Sequence, residues 1–110
     1  MIVHDVRHAL SDEEAADYAL AMSELERAVV VLCSKERSLG YTRLAEKTGT
    51  TYSDVQSAGK SLKAKRLAHI SVARHGNEFH GSALFLNERG LAVKEAVEAL
   101  IRIRAKRVGR

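Results

Sequence analysis

The sequence predicts an α+β fold that is mostly α: three helices, a β-hairpin and a C-terminal helix, with an extra N-terminal helical segment. Three observations lead there. Ser11, Ser23 and Thr51 each stand three places before an acidic residue, the spacing of a helix-opening capping box. Two short alternating stretches, 67–75 and 82–86, enclose a Gly-Asn pair, which is a hairpin pattern. The 110 residues include no proline and are 45% hydrophobic but only 5% aromatic, so the core is aliphatic and helices run without that breaker.

The elements follow in order. Residues 1–10 are short and mixed, and are expected to be extended or loose. Ser11-Asp12-Glu13-Glu14 opens a helix, with its acids at the positive end of the dipole. Tyr18, Met22, Leu25, Val29 and Leu32 then recur at 4-3-4-3 spacing as one stripe. A second box, Ser23 to Glu26, leaves two options: one helix to about Lys35, or a break near Met22. The run 28–33 is apolar all round and therefore buried. Residues 36–40 break the pattern. A short helix spans about 42–48, with Leu44 and Ala45 inward and Gly49 as its stop. Thr51 opens the next, to about Lys65, with Val55, Ala58 and Leu62 on its apolar face.

In the first hairpin strand, Ile70 and Val72 alternate with His69, Ser71 and Ala73; in the second, Leu84 and Leu86 share a face. A two-residue turn at Gly76-Asn77 would set Leu84 opposite His69. One apolar face therefore needs an odd-length loop or a bulge, and a longer hairpin tip is expected. Asn87 caps the last helix, whose stripe is Val93, Val97, Leu100 and Ile101, extended by Val108. Length indicates one domain, 1–110, with 1–22 and 91–110 as flanking or dimerisation helices.

Charge is divided along the chain. Residues 1–34 carry net −5 and residues 35–110 net +9, within an overall +4. Such asymmetry points to an anionic partner. A single cysteine excludes an internal disulfide framework. No apolar run is long enough for a transmembrane helix, and the first residues do not form a signal peptide. A cytoplasmic location is expected.

Ala45, Gly49, Val55 and Ala58 have the spacing of a helix-turn-helix. Alanine lets the helices approach, glycine takes positive φ in the turn, and the apolar pair seats the second helix. Thr51, Tyr52, Ser53, Gln56, Ser57 and Lys60 are then left on the outer face, where a recognition helix reads base edges in the major groove. Gln56 suits a bidentate contact to adenine. Arg43, Lys47, Lys63, Arg74 and His75 suit phosphates, which set affinity without reading sequence.

With these residues in view, the chain resembles the winged helix-turn-helix regulators of bacteria and archaea, above all the multiple-antibiotic-resistance regulator (MarR) type. That group pairs the alanine–glycine–cap–valine spacing with a hairpin and then a Leu-Thr-x-x-Gly phrase. Here the phrase is Leu86-Asn87-Glu88-Arg89-Gly90. The resemblance covers about 23–96. It implies a homodimer on a pseudo-palindromic operator, acting as a repressor. Tyr18, Met22, Val97, Leu100 and Ile101 are the expected dimer interface. The chain departs from the pattern in three ways. Arg66 stands where the recognition helix usually ends in glycine. Arg74 lies at the base of the wing, and none of its arginines is at the tip. The chain is also short for the family, which argues against a large effector pocket.

Other signals point nowhere further. Cys33 follows Val-Val-Val-Leu, a setting that makes a thiol inert. His4 with His8, and His75 with His80, are each half a metal site. Asp12, Glu13, Glu14 and Asp17 sit at a helix start, where dipole and solubility explain them. No phosphate-binding glycine loop or nucleophile–base set is present, so no enzyme activity and no cofactor are expected. The expected function is sequence-specific binding of double-stranded DNA in transcription regulation. The alternatives are a winged-helix protein-interaction module, or a plasmid or phage replication or partition protein using the same contacts.

Overall fold

The computed structural model describes residues 10–35, 39–75 and 78–108, with side chains apart from 73–80 and 107–108. The expectations for 1–9, the Gly76-Asn77 turn and the side chains of Arg74, His75, His80 and Val108 lie outside it. The described elements are α1 (Asp12–Ala21), α2 (Glu24–Leu32), β1 (Leu39–Gly40), α3 (Tyr41–Thr48), α4 (Tyr52–Ala64), β2 (Ala68–His75), β3 (Glu78–Leu86) and α5 (Glu88–Val108). The expected class holds, with one addition. The two-residue strand β1 joins the hairpin edge, giving an antiparallel sheet of order β1-β3-β2.

The N-terminal segment takes the second of its two options and breaks at Met22. Both capping boxes form: the Ser11 hydroxyl accepts from Glu14 N–H and the Ser23 hydroxyl from Glu26 N–H, each at 3.1 Å. Each glutamate also reaches back to its cap at 2.9 Å. Two complete boxes satisfy two sets of orphan N–H groups, so a break costs little. Tyr18, Met22, Leu25 and Val29 of the stripe still pack on the core, but Leu32 is exposed, so the run 28–33 is not buried all round.

One core lies among α1, α2, α3, α4, the sheet and α5. Val29, Val30, Leu44, Val55, Leu62, Leu67, Leu84, Leu86, Val93 and Val97 are fully buried. Cys33 is buried as expected, and burial pushes its thiol up to about 11. Met22 and Val97 are core residues at 3% and 0% exposure, which corrects their placement in a dimer interface: they complete the single chain. A stripe specifies an apolar face but not which surface covers it.

The hairpin solves its register with a bulge. Ile70 pairs Leu84 and Val72 pairs Ser82, but beyond them Arg74 pairs Phe79 and His75 pairs Glu78. Two β3 residues, His80 and Gly81, thus oppose Ala73, and Gly81 takes φ +107. That extra residue is what keeps Ile70, Leu84 and Leu86 on one side. The longer tip expected from the sequence is corrected, since strand pairing runs out to His75 and Glu78. Val72, 46% exposed, has already left the core. On the outer side of the sheet His69 and Phe85 stack, with ring centroids 5.2 Å apart.

Arg66 follows α4 with φ +63, the left-handed conformation that glycine normally supplies. Its carbonyl compensates by accepting from Asn87 Nδ2 at 2.9 Å and Arg89 Nε at 3.1 Å. We expect Arg66→Gly to stabilise the chain by roughly 0.5–1 kcal/mol by relieving the left-handed strain. Chemical denaturation checks it, and a loss of stability would contradict the strain.

Candidate nucleic-acid interface

The site is built from α3, the Gly49 turn and α4. Gly49 takes φ +70, and Thr50 N–H reaches back to the Ala45 carbonyl at 3.0 Å, so α3 closes as its sequence requires. Thr51 then caps α4: its hydroxyl accepts from Asp54 N–H at 3.1 Å. The hydroxyl expected to read bases therefore already has a backbone partner, although the residue is exposed.

The inner face of α4 is Val55, Ala58, Gly59 and Leu62, all buried. Gly59 carries a signal that sequence reasoning passed over. A Cβ there would overlap the Tyr41 hydroxyl, so this mid-helix glycine lets α4 lie close against α3. Tyr41 is buried and meets Tyr52 edge to face, with ring centroids 5.5 Å apart. Burial, then the neighbouring Tyr52 and Cys33, raise the Tyr41 phenol above its ordinary pKa. Tyr52 must be corrected as a base-reading residue. Its ring packs against the core and on Tyr41, and its hydroxyl is buried.

The remaining predicted residues come together. Ser53, Gln56, Ser57, Lys60 and Lys63 are all exposed, and their spacing sets them along one face of α4. Arg43 and Lys47, four apart on α3, are exposed as well. The result is a polar stripe with cations at its edges, backed by a buried apolar inner face. It can donate and accept hydrogen bonds along a groove floor and meet anions at the rim.

The far end of α4 is anchored by residues the sequence did not single out. Lys65 Nζ donates to Glu26 at 3.2 Å, and Glu26 is only 7% exposed. Burial by itself would raise the Glu26 carboxyl. Hydrogen bonds from Ser61, the Ser23 backbone and Lys65 outweigh it and hold the pKa below the usual range. Arg89 on α5 binds the Arg66 and Lys65 carbonyls at 3.1 and 3.3 Å and donates to the Tyr18 hydroxyl at 3.1 Å. Tyr18 is thus half-buried against Arg89, an intrachain role that accounts for its place in the stripe. Position 26, as the third residue of a capping box, was the one hint of a buried acid.

The apolar surface lies elsewhere. Leu20, Ile101 and Ile103 are exposed at 60%, 49% and 54%. Between α1 and α5 runs a groove of about 360 Å³ lined by Ala15, Ala16, Leu20, Ala96, Leu100 and Ile103. Leu100 is half-buried there. No cluster of metal-ligating side chains and no helix long and apolar enough to cross a membrane occurs among the described residues.

No protein-family model matches the chain, and no curated protein does. Solved structures do. A MarR family protein of Mycobacterium tuberculosis superposes with a TM-score of 0.63 at 23% identity, over 88% of this chain and 67% of that one. YusO of Bacillus subtilis gives 0.63 at 21% identity, over 86% and 66%. Streptococcus pneumoniae FabT, solved in complex with DNA, gives 0.59 at 14% identity, over 80% and 60%. The chain therefore has the winged-helix fold of MarR-type regulators, and spans about two thirds of the length of these proteins.

Proposed function

We propose that this chain is a sequence-specific double-stranded DNA-binding regulator of transcription that places α4 in the major groove. The observation that carries the reading is the exposed face of α4. It presents Ser53, Gln56, Ser57, Lys60 and Lys63, hydrogen-bonding and cationic groups without an apolar patch among them. A protein-docking helix would instead expose apolar area there. Ser53, Gln56, Ser57 and Lys60 are assigned to base edges, with Thr51 at the helix start. Arg43, Lys47 and Lys63 are assigned to phosphates. The resemblance extends the phosphate set to Arg74 and His75 on the wing. FabT, which shares this fold, is solved in complex with DNA, and this supports DNA as the partner.

Dimerisation belongs to the same proposal. A second copy covers the α1–α5 groove, with Leu20, Leu100, Ile101 and Ile103 as the apolar contacts. Charge favours a copy of this chain. The start of α1 carries Asp12, Glu13, Glu14 and Asp17, and the end of α5 carries exposed Arg102, Arg104 and Lys106. Opposed charges across a two-fold axis fix its register. Repression is the expected output of such a dimer on an operator, in the cytoplasm, without a catalytic step or a cofactor.

The test is retention of genomic duplex fragments by the purified protein across a salt series. Selective retention of a few fragments with a steep salt slope is expected. Weak, uniform binding that vanishes near physiological salt would leave only a basic surface. Lys63→Ala should weaken all duplexes alike and lower the salt slope by about one. An unchanged slope removes Lys63 from the phosphate set.

A further inference from the structure

We infer that Arg89 is a positioning residue for the α4 surface: its guanidinium fastens the C-terminal end of α4 to α1 and α5 and fixes the angle at which the polar stripe is presented. The inference rests on the DNA-binding reading for its functional consequence, but not for its geometry.

Four observations meet at this point. The chain leaves α4 through Arg66 in a left-handed conformation that a non-glycine residue holds only when its surroundings impose it. The two carbonyls at that exit, Lys65 and Arg66, accept from one guanidinium, at 3.3 and 3.1 Å. The same guanidinium donates to Tyr18 of α1 at 3.1 Å and lies 5.8 Å from its ring centre. On the other side Lys65 is held by the buried carboxylate of Glu26 on α2. Three helices thus converge on one end of α4, while toward its N-terminal end Tyr52 and Val55 pack inward and Ser53, Gln56 and Ser57 are exposed.

Such a joint has a mechanical meaning. A helix gripped by its apolar inner face alone can still roll and tilt on that face. A planar fork holding two carbonyls and a phenol fixes both motions. Arg89 also connects the proposed reading helix to α1 and α5, the two helices that line the exposed apolar groove. It therefore sets how each reading helix stands relative to the helices assigned to the dimer contact. The charge on Arg89 is not what matters, since a lysine would place one point charge where three directed contacts are needed.

The experiment has two arms. In the first, spin labels are placed at Asp17 and Ser57, both exposed, in a Cys33→Ala background, with labelled chains diluted in unlabelled ones. The wild-type arginine should give one narrow α1–α4 distance distribution. Arg89→Gln should broaden it, Arg89→Lys should broaden it equally, and Tyr18→Phe should do so less. In the second arm, unlabelled Arg89→Gln should bind the best wild-type duplex about tenfold more weakly with its salt slope unchanged, a loss of about 1.4 kcal/mol. A distance distribution that stays narrow in Arg89→Gln, whatever happens to its melting temperature, overturns the inference. So does full rescue by lysine. If the wild type retains no duplex, the DNA-binding reading fails by itself, and the distance arm still decides the role of Arg89.

Discussion

Replacing Gly90 with alanine will destabilise the chain by about 3 kcal/mol or more. In most helices the same change is favourable by about 1 kcal/mol, because alanine is the better helix former. Here the sign reverses. A Cβ at position 90 would overlap the carbonyl oxygen of Leu67, with the carbonyl carbon at 3.1 Å and Leu86 Cβ at 3.2 Å. None of these can yield cheaply. The Leu67 carbonyl already accepts from Asn87 N–H at 3.1 Å, and Leu67 and Leu86 are both fully buried. Gly90 N–H is itself held by the Asn87 side chain at 2.9 Å, so the first turn of α5 cannot swing away without losing its cap. Against a total stability of about 5–15 kcal/mol, this is a large fraction. Chemical denaturation of the variant checks it, and wild-type stability in Gly90→Ala would show that α5 does not pack this closely on the strand entry.

Gln56→Ala is expected to relax sequence preference at one base position, with a loss of about 1–3 kcal/mol on the preferred duplex. Gln56 is central in the exposed stripe and exposed to solvent, so its amide has both a donor and an acceptor to offer. Val55 and Gly59 beside it are buried, and this fixes the direction in which it projects. The measurement is binding to single-position variants of the selected duplex. Equal weakening on every variant would remove Gln56 from base reading and leave it as a general contact.

Much of the framework was legible because the signals were local. Three capping boxes, the glycine after α3 and the asparagine before α5 each concern only a few neighbouring backbone groups, and all five formed. The misreadings concern surfaces that local pattern does not address. Met22 and Val97 lie on genuine apolar stripes, yet the same chain covers them. Tyr52 follows a cap and was expected outward, but an aromatic side chain at the first turn had Tyr41 to pack on. β1 is two residues long, too short for any alternation to register. The anchoring of α4 by Arg89 and Glu26 joins residues far apart in sequence, and spacing rules say nothing about such pairs. The outer stripe of α4 was readable because it is the complement of a strong inner face, Val55, Ala58 and Leu62.

The bulge at Gly81 has a consequence for how this chain tolerates change. It splits the hairpin into two stretches whose phases are independent. On the inner stretch, pairing of Ile70 with Leu84 and Ala68 with Leu86 commits the strands to the core. On the outer stretch, Arg74 pairs with Phe79 and His75 with Glu78, in a phase set beyond the bulge and not by the inner pairs. Added or lost pairs beyond the bulge therefore lengthen or shorten the arm without shifting any core side chain to the other face. The distal arm is a module in length: paired residues can be added or removed there by design while the domain beneath keeps its register.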